Sequence, residues 1–216
     1  MFGNRLQGKE MKVVYTCITG EKDRLKDQPT HPDWKFICYT DRDNLNSITW
    51  EVRKIQKYQK SSRKTARWHK INSHLLFPDA TAVLWIDGSI NMKHNPQYYY
   101  EKYGSELSVL PSLCRSCLYE EAEACIEFQC DNIQTLREQV QKYSDEGIPR
   151  NLGMIGTGFM IREHNDNIKR FNELWWKEIE HHSIRDQVSF PYVAYKTSTE
   201  WKTIPLKEVI INRHER

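Results

Sequence analysis

The stretch Ala82-Val83-Leu84-Trp85-Ile86-Asp87-Gly88-Ser89 decides the fold. Its first five residues form an uninterrupted apolar run. That pattern suits a strand covered on both faces, as the strands of parallel sheets are. An acid, a glycine and a hydroxyl follow where such a strand would emerge. Residues 12–18 make a similar run, stopped by Thr19-Gly20-Glu21-Lys22-Asp23, and residues 34–40 make another, stopped by Asp41-Arg42-Asp43-Asn44. Residues 48–52 read as a shorter third strand. A helix is predicted from Ser61-Ser62, which can cap it, to about Leu76, with Phe77-Pro78-Asp79 as its stop. Alternating strands and helices argue for an α/β fold with an open, mixed, mainly parallel central sheet flanked by helices.

The second half is less regular. Residues 107–110 read as a short strand, and residues 119–129 and 133–143 as helices. Residues 151–162 interleave three glycines with apolar residues, without the spacing of a dinucleotide fingerprint. Glycine inside a strand marks close approach of a ligand or another backbone. Asn165 or Asp166 can cap a helix to about His182, with Ile168, Phe171, Trp175 and Ile179 as its apolar stripe. Residues 209–211 form a last apolar run before a polar tail. No repeat, low-complexity tract or linker divides the chain, so residues 1–216 are expected to be one domain with residues 1–11 as a loose lead-in.

Composition narrows the class. The 216 residues carry a net charge of +3, too weak to argue for nucleic acid. Mean hydropathy is −0.77, and no apolar run approaches the ~20 residues of a membrane helix. No signal peptide is visible at the start, so a cytoplasmic location is expected. Cys114, Cys117, Cys125 and Cys130 give a C-x2-C-x7-C-x4-C spacing. Only the first pair resembles a zinc knuckle, so reduced structural thiols are the preferred reading for these four, as for Cys17 and Cys38.

In open α/β sheets, ligands bind outside the carboxyl ends of the strands. Asp87 with Ser89 two residues on suits a divalent metal held against a diphosphate. Arg63, Arg67, Lys70 and His74 fall at i, i+4, i+7 and i+11, on one helix face. The stripe is either a solvated face or, because its helix directly precedes the Asp87 strand, part of the same crevice. The Arg fork suits phosphate oxygens.

Val14-Tyr15-Thr16-Cys17-Ile18-Thr19-Gly20, Tyr39-Thr40-Asp41-Arg42, Arg63-x3-Arg67-x2-Lys70, Trp85-Ile86-Asp87-Gly88-Ser89, Tyr119-Glu120-Glu121-Ala122, residues 158–165 and Arg185-Asp186-Gln187-Val188-Ser189-Phe190 occur in one order. Together they resemble a GT-A-fold (Rossmann-like) glycosyltransferase. More narrowly, they resemble a glycosyltransferase-like family with plant wall-polysaccharide members and a virus-encoded member that glycosylates a capsid protein. The resemblance implies a UDP-sugar donor, Mn2+ or Mg2+ as cofactor, a glycan acceptor on a glycoprotein, and retaining chemistry. It implies no nucleic-acid partner, and it leaves room for the chain to be part of a longer multidomain protein.

By the same resemblance, Asp87 and Asp186 are the catalytic candidates. Asp186 would bind donor hydroxyls, stabilise oxocarbenium charge or act as a base; alternatively it only caps a helix. Thr16, Cys17, Ile18 and Thr19 would hold the nucleoside. Asp41 and Arg42 either join that pocket or pair with each other in a turn. Arg63, Arg67, Lys70, Ser89, Gly156, Thr157, His164 and Gln187 complete the donor candidates. The usual Asp-x-Asp metal motif is replaced by Asp87-Gly88-Ser89, so Asp87, Ser89 and a late histidine, His214, are the metal candidates. Three other readings compete: a nucleotidyltransferase, a non-catalytic binder of nucleotide sugar or glycan, and a nucleic-acid binder built on the Arg63–His74 stripe.

Overall fold

A computed structural model describes residues 10–21, 23–56 and 61–212. Nine strands and seven α-helices are found among them. They follow the order β1 (Met11–Ile18), β2 (Trp34–Thr40), β3 (Glu51–Lys54), α1 (Ser62–Ile71), α2 (Ser73–Leu76), β4 (Ala80–Ile86), β5 (Ile90–Met92), α3 (Pro96–Tyr103), β6 (Leu107–Pro111), α4 (Leu118–Glu127), α5 (Ile133–Asp145), β7 (Ile155–Glu163), α6 (Asp166–His181), α7 (Asp186–Thr197), β8 (Lys202–Thr203) and β9 (Val209–Ile211). The main sheet has seven strands in the order β3-β2-β1-β4-β7-β6-β8. β7 runs antiparallel to both its neighbours, and the remaining pairs are parallel. Six strands therefore share one direction, which is the expected open, mixed, mainly parallel α/β sheet. The expected lead-in falls mostly outside the described residues. Among the described residues no helix is long and apolar enough to cross a membrane.

Side chains alternate across the sheet, as the pleat requires. Val83 and Trp85 of β4 join a core with Ile71, Phe171, Trp175, Val188 and Phe190 of the helical layer. Ala82, Leu84 and Ile86 face the other way, toward Tyr99 of α3 and Val209 of β9. Asp87 continues the alternation of Val83 and Trp85, so it leaves the sheet on the side of α1, α6 and α7. β5 and β9 form a separate antiparallel ribbon directly after the Asp87 turn.

Two elements differ from expectation. The third strand pairs with β2 through Glu51–Lys54, three residues later than its apolar signal, and Ile48 is 97% exposed. The helix after Ser61 does not run to Leu76. Ser61 does cap it, accepting from the Lys64 N–H at 3.2 Å. To continue past Ile71, the carbonyls of Lys70 and Ile71 would have to accept the N–H groups of His74 and Leu75. They accept other donors. Arg162 of β7 donates to Lys70 O at 2.6 Å and Ile71 O at 3.0 Å, and the Tyr15 hydroxyl donates to Lys70 O at 2.7 Å. The helix ends at Asn72, and α2 restarts at Ser73.

Candidate active site

The carboxyl end of β4, the start of β7 and the N-terminus of α7 meet at one corner. Asp87 leaves β4 with its N–H donating to Gly158 O at 2.7 Å. Its Oδ1 accepts from Trp85 Nε1 at 2.7 Å. Trp85 lies two residues earlier on the same face of the strand, so this contact follows from the pleat. A Cβ added at Gly158 would fall 2.7 Å from Ile90 Cδ1 and 3.2 Å from Asp87 Oδ2. The strand glycine thus marks close approach of the Asp87 carboxylate.

Lys70 comes to this corner from the last turn of α1. Its side chain is fully buried, with Nζ 2.7 Å from Asp186 Oδ2 and 3.6 Å from Asp87 Oδ1. Arg67, one turn earlier, places Nη2 3.3 Å from Asp186 Oδ1. Thr157 Oγ1 donates to Asp186 Oδ2 at 2.8 Å. Asp186 sits in the first turn of α7, where the helix dipole favours an anion. Its side chain is 2% exposed, against 30% for Asp87. Burial alone would raise the Asp186 carboxyl. Arg67 and Lys70, with the hydrogen bonds from Lys70 and Thr157, outweigh it and hold the group well below the usual carboxylate range. Burial pulls the Lys70 ammonium below its usual range, against the opposing pull of Asp186 and Asp87.

The sequence candidates divide. Asp87, Asp186, Arg67, Lys70 and Thr157 converge. Gln187 lies next to them, its amide donating to Ile155 O at 3.0 Å. Gly156 pairs with Leu110 across the sheet. Arg63 is at the far end of α1 and donates to Cys130 O at 3.4 Å.

Two candidates stand corrected. His74 does not continue the basic stripe, because α1 ends before it; its ring faces Asn172 Nδ2 at 3.3 Å. His164 lies at the opposite end of the sheet. Its N–H donates to Thr81 O near the start of β4, and its ring contacts Ser73 Oγ at 3.0 Å, too far away to touch a donor at Asp87. Cys17 points its side chain into the core, and its backbone pairs with Tyr39 of β2.

Thr16 and Ile18 are strand residues that line a small cavity of about 10 Å3 shared with Asp87 and Gly88. Thr19 and Gly20 do emerge. Thr19 donates to Ser62 O at 2.8 Å. Asp41 Oδ1 accepts the Gly20 N–H at 3.0 Å, and Arg42 Nε donates to Gly20 O. Asp41 and Arg42 therefore clamp the turn after β1 from both sides. The turn lies at the carboxyl ends of β1 and β2.

Ser89, two residues on from Asp87, is buried. Its carbonyl accepts from Asn212 twice, from N–H at 2.8 Å and from Nδ2 at 3.0 Å. His214 lies outside the described residues. Asn212 carried no signal in the sequence; only the β5–β9 pairing brings it here. Trp85 could have been found from its two-residue spacing to Asp87.

No group of three or more His, Cys, Asp or Glu poised for a metal occurs among the described residues, and the cysteines are free thiols. One partly exposed carboxylate, Asp87, with a hydroxyl residue two positions on, is a partial shell. It fits an ion such as Mg2+ that keeps waters and takes its remaining ligands from substrate phosphates.

A curated relative, the "probable hexosyltransferase MUCI70" of Arabidopsis thaliana, is 27% identical over 155 residues, 64% of this chain and 26% of that protein. The chain thus spans about a quarter of that relative's length. Among solved structures, the apo form of the bifunctional glycosyltransferase WbbM is similar at a TM-score of 0.49 and 9% identity, over 94% of this chain and 40% of that one. Mouse xyloside xylosyltransferase 1 in its apo form is similar at 0.48 and 7%, over 90% and 84%. The model of the TOD1/MUCI70 glycosyltransferase-like domain matches residues 39–210, and the chain belongs to that family.

Proposed function

We propose that this chain is a glycosyltransferase domain that moves a hexosyl or deoxyhexosyl group from a UDP-sugar to a glycan acceptor on a glycoprotein. A viral capsid glycoprotein is the narrowest acceptor class that the sequence resemblance implies. The observation that carries the reading is the convergence of Asp87 and Asp186 on one buried ammonium, at the strand ends where an α/β sheet binds ligands. Family membership supports the same reaction class.

Asp87, with Ser89 two residues on, would hold Mn2+ or Mg2+, which when bound supplies positive charge against the departing diphosphate. Arg67, partly exposed at the rim, neutralises the same phosphates. Thr19 and Gly20, fixed by Asp41 and Arg42, face the nucleoside. Asp186 lies beneath these groups as a fixed negative charge. Its depressed proton affinity makes it a poor base, which favours stabilisation of positive charge at the anomeric carbon over proton removal. That preference accords with retaining chemistry. A groove of about 530 Å3 flanks α7, lined by Pro191, Tyr195, Glu200 and Trp201 among others. Its aromatic faces and polar groups suit an acceptor sugar chain.

The single carboxylate in place of Asp-x-Asp favours a second reading, a non-catalytic nucleotide-sugar binder. Calorimetry with UDP and Mn2+, paired with UDP-sugar hydrolysis, tests both. In Asp87→Ala, cation-dependent UDP affinity is expected to fall about tenfold or more, ~1.4 kcal/mol, with hydrolysis abolished. Unchanged UDP affinity would refute the assignment of Asp87. Binding without any turnover would establish the second reading, and release of pyrophosphate would mark a nucleotidyltransferase.

A further inference from the structure

We infer that Lys70 is a resident counter-cation that competes with the divalent ion for Asp87, so that the ion enters together with the donor diphosphate and not alone. The inference rests on the reading that Asp87 receives the ion.

The buried Lys70 ammonium touches Asp186 and stands 3.6 Å from the Asp87 oxygen that also accepts from Trp85. Asp87 is therefore partly neutralised before any ligand arrives. A divalent ion on this carboxylate would meet a fixed positive charge across a poorly screened interior. Lys70 cannot yield by moving out. Its side chain is wholly enclosed, and its carbonyl is held by Arg162 and the Tyr15 hydroxyl. The negative diphosphate offsets that repulsion and supplies ligand oxygens, so ion and donor bind as a unit. A second consequence concerns folding. Asp186 has its compensating charge built in, so the corner holds its shape without a metal.

Calorimetric titration of Mn2+ into the wild-type chain and Lys70→Met, each with and without UDP, tests the inference. Wild type is expected to bind Mn2+ weakly alone and about 100-fold tighter with UDP. Lys70→Met is expected to bind Mn2+ alone about tenfold tighter than wild type or more, while losing turnover. A merely structural lysine would not raise ion affinity when removed. A chelator is expected to leave the wild-type melting temperature unchanged. If Lys70→Met does not fold, the double variant Lys70→Met with Asp186→Asn removes both partners of the buried pair and is expected to show the same tightening. Equal or weaker Mn2+ affinity in the folded variant would overturn the inference while UDP binding leaves the donor site standing. So would wild-type Mn2+ affinity that UDP does not change. Absence of UDP binding in every variant would instead remove the donor-site reading, and the inference with it.

Discussion

Two fully buried cations meet at the end of α1, and they are satisfied in opposite ways. Lys70 faces the strand ends and pairs with two carboxylates, Asp186 and Asp87. Arg162 faces the middle of the sheet, and its partners are neutral: the carbonyls of Lys70 and Ile71, Asn172 Oδ1 and the Tyr15 hydroxyl. Among the described residues no carboxylate pairs with it. A guanidinium cannot shed its proton, and its planar fork reaches several oxygens at once. Arg162 therefore acts as a clamp that ends α1 and fixes the backbone of Lys70. Lys70 carries its charge to the corner proposed to receive the donor. The contrast separates holding the site from working in it, although the two residues share one carbonyl.

Removing Arg162 tests the contrast most severely. Arg162→Met leaves Ile71 O and Asn172 Oδ1 without a donor, while Lys70 O keeps the Tyr15 hydroxyl. At about 1–3 kcal/mol per unsatisfied buried group, partly offset by no longer burying a charge, the loss is on the order of 4 kcal/mol. Arg162→Lys is not expected to restore it, because a single ammonium lacks the fork. Urea unfolding measures both. A loss under about 1 kcal/mol would show that α1 ends for another reason and would dissolve the distinction.

A smaller effect is expected at the other cation. Asp186→Asn keeps the shape and the Thr157 contact but removes the charge that Lys70 and Arg67 face. Turnover is expected to fall about 100-fold, ~2.7 kcal/mol, while UDP affinity stays within about twofold. Steady-state kinetics beside calorimetry reads the split. Equal losses in turnover and UDP affinity would place Asp186 with the structural groups, alongside Arg162.

Much of the frame was legible because buried parallel strands write themselves as apolar runs. β1, β2 and β4 stand where those runs stand, and Asp87 emerges at the end of the last. Partners across long sequence separations were not legible. Periodicity put Arg67 and Lys70 on one face but could not say whether that face met water or a carboxylate. The answer lies on α7, more than a hundred residues later. The same periodicity carried the stripe on to His74, because nothing local to α1 announces that Arg162 will occupy its last carbonyls. His164 was drawn to the donor by following a motif along β7. An antiparallel strand nine residues long carries its two termini to opposite ends of the sheet, so Thr157 arrives at the candidate site and His164 leaves it.

His164 supplies a third case, and the smallest expected effect. It stands two residues after Arg162, half-buried, with Ser73 Oγ as a neutral partner. Burial, then the positive charge of Arg162, then His74 push its proton affinity down to about 4, against an ordinary 6.5. Unlike Lys70 it has no carboxylate to hold a proton, and unlike Arg162 it is free to lose one, so it folds as the neutral ring. As pH falls from about 6.5 toward 4, the unfolded chain takes up a proton here that the folded chain refuses. Stability is therefore lost across that window and recovered as pH rises. His164→Gln keeps a polar partner for Ser73 and is expected to flatten the slope of unfolding free energy against pH by about one proton, with turnover at pH 7.5 unchanged. His74, lowered mainly by burial as well, contributes a slope of its own that survives the substitution. A slope unaltered in His164→Gln would mean that His164 already carries a proton in the folded state, and that a basic group at this end of the sheet can stay charged without a carboxylate just as Arg162 does.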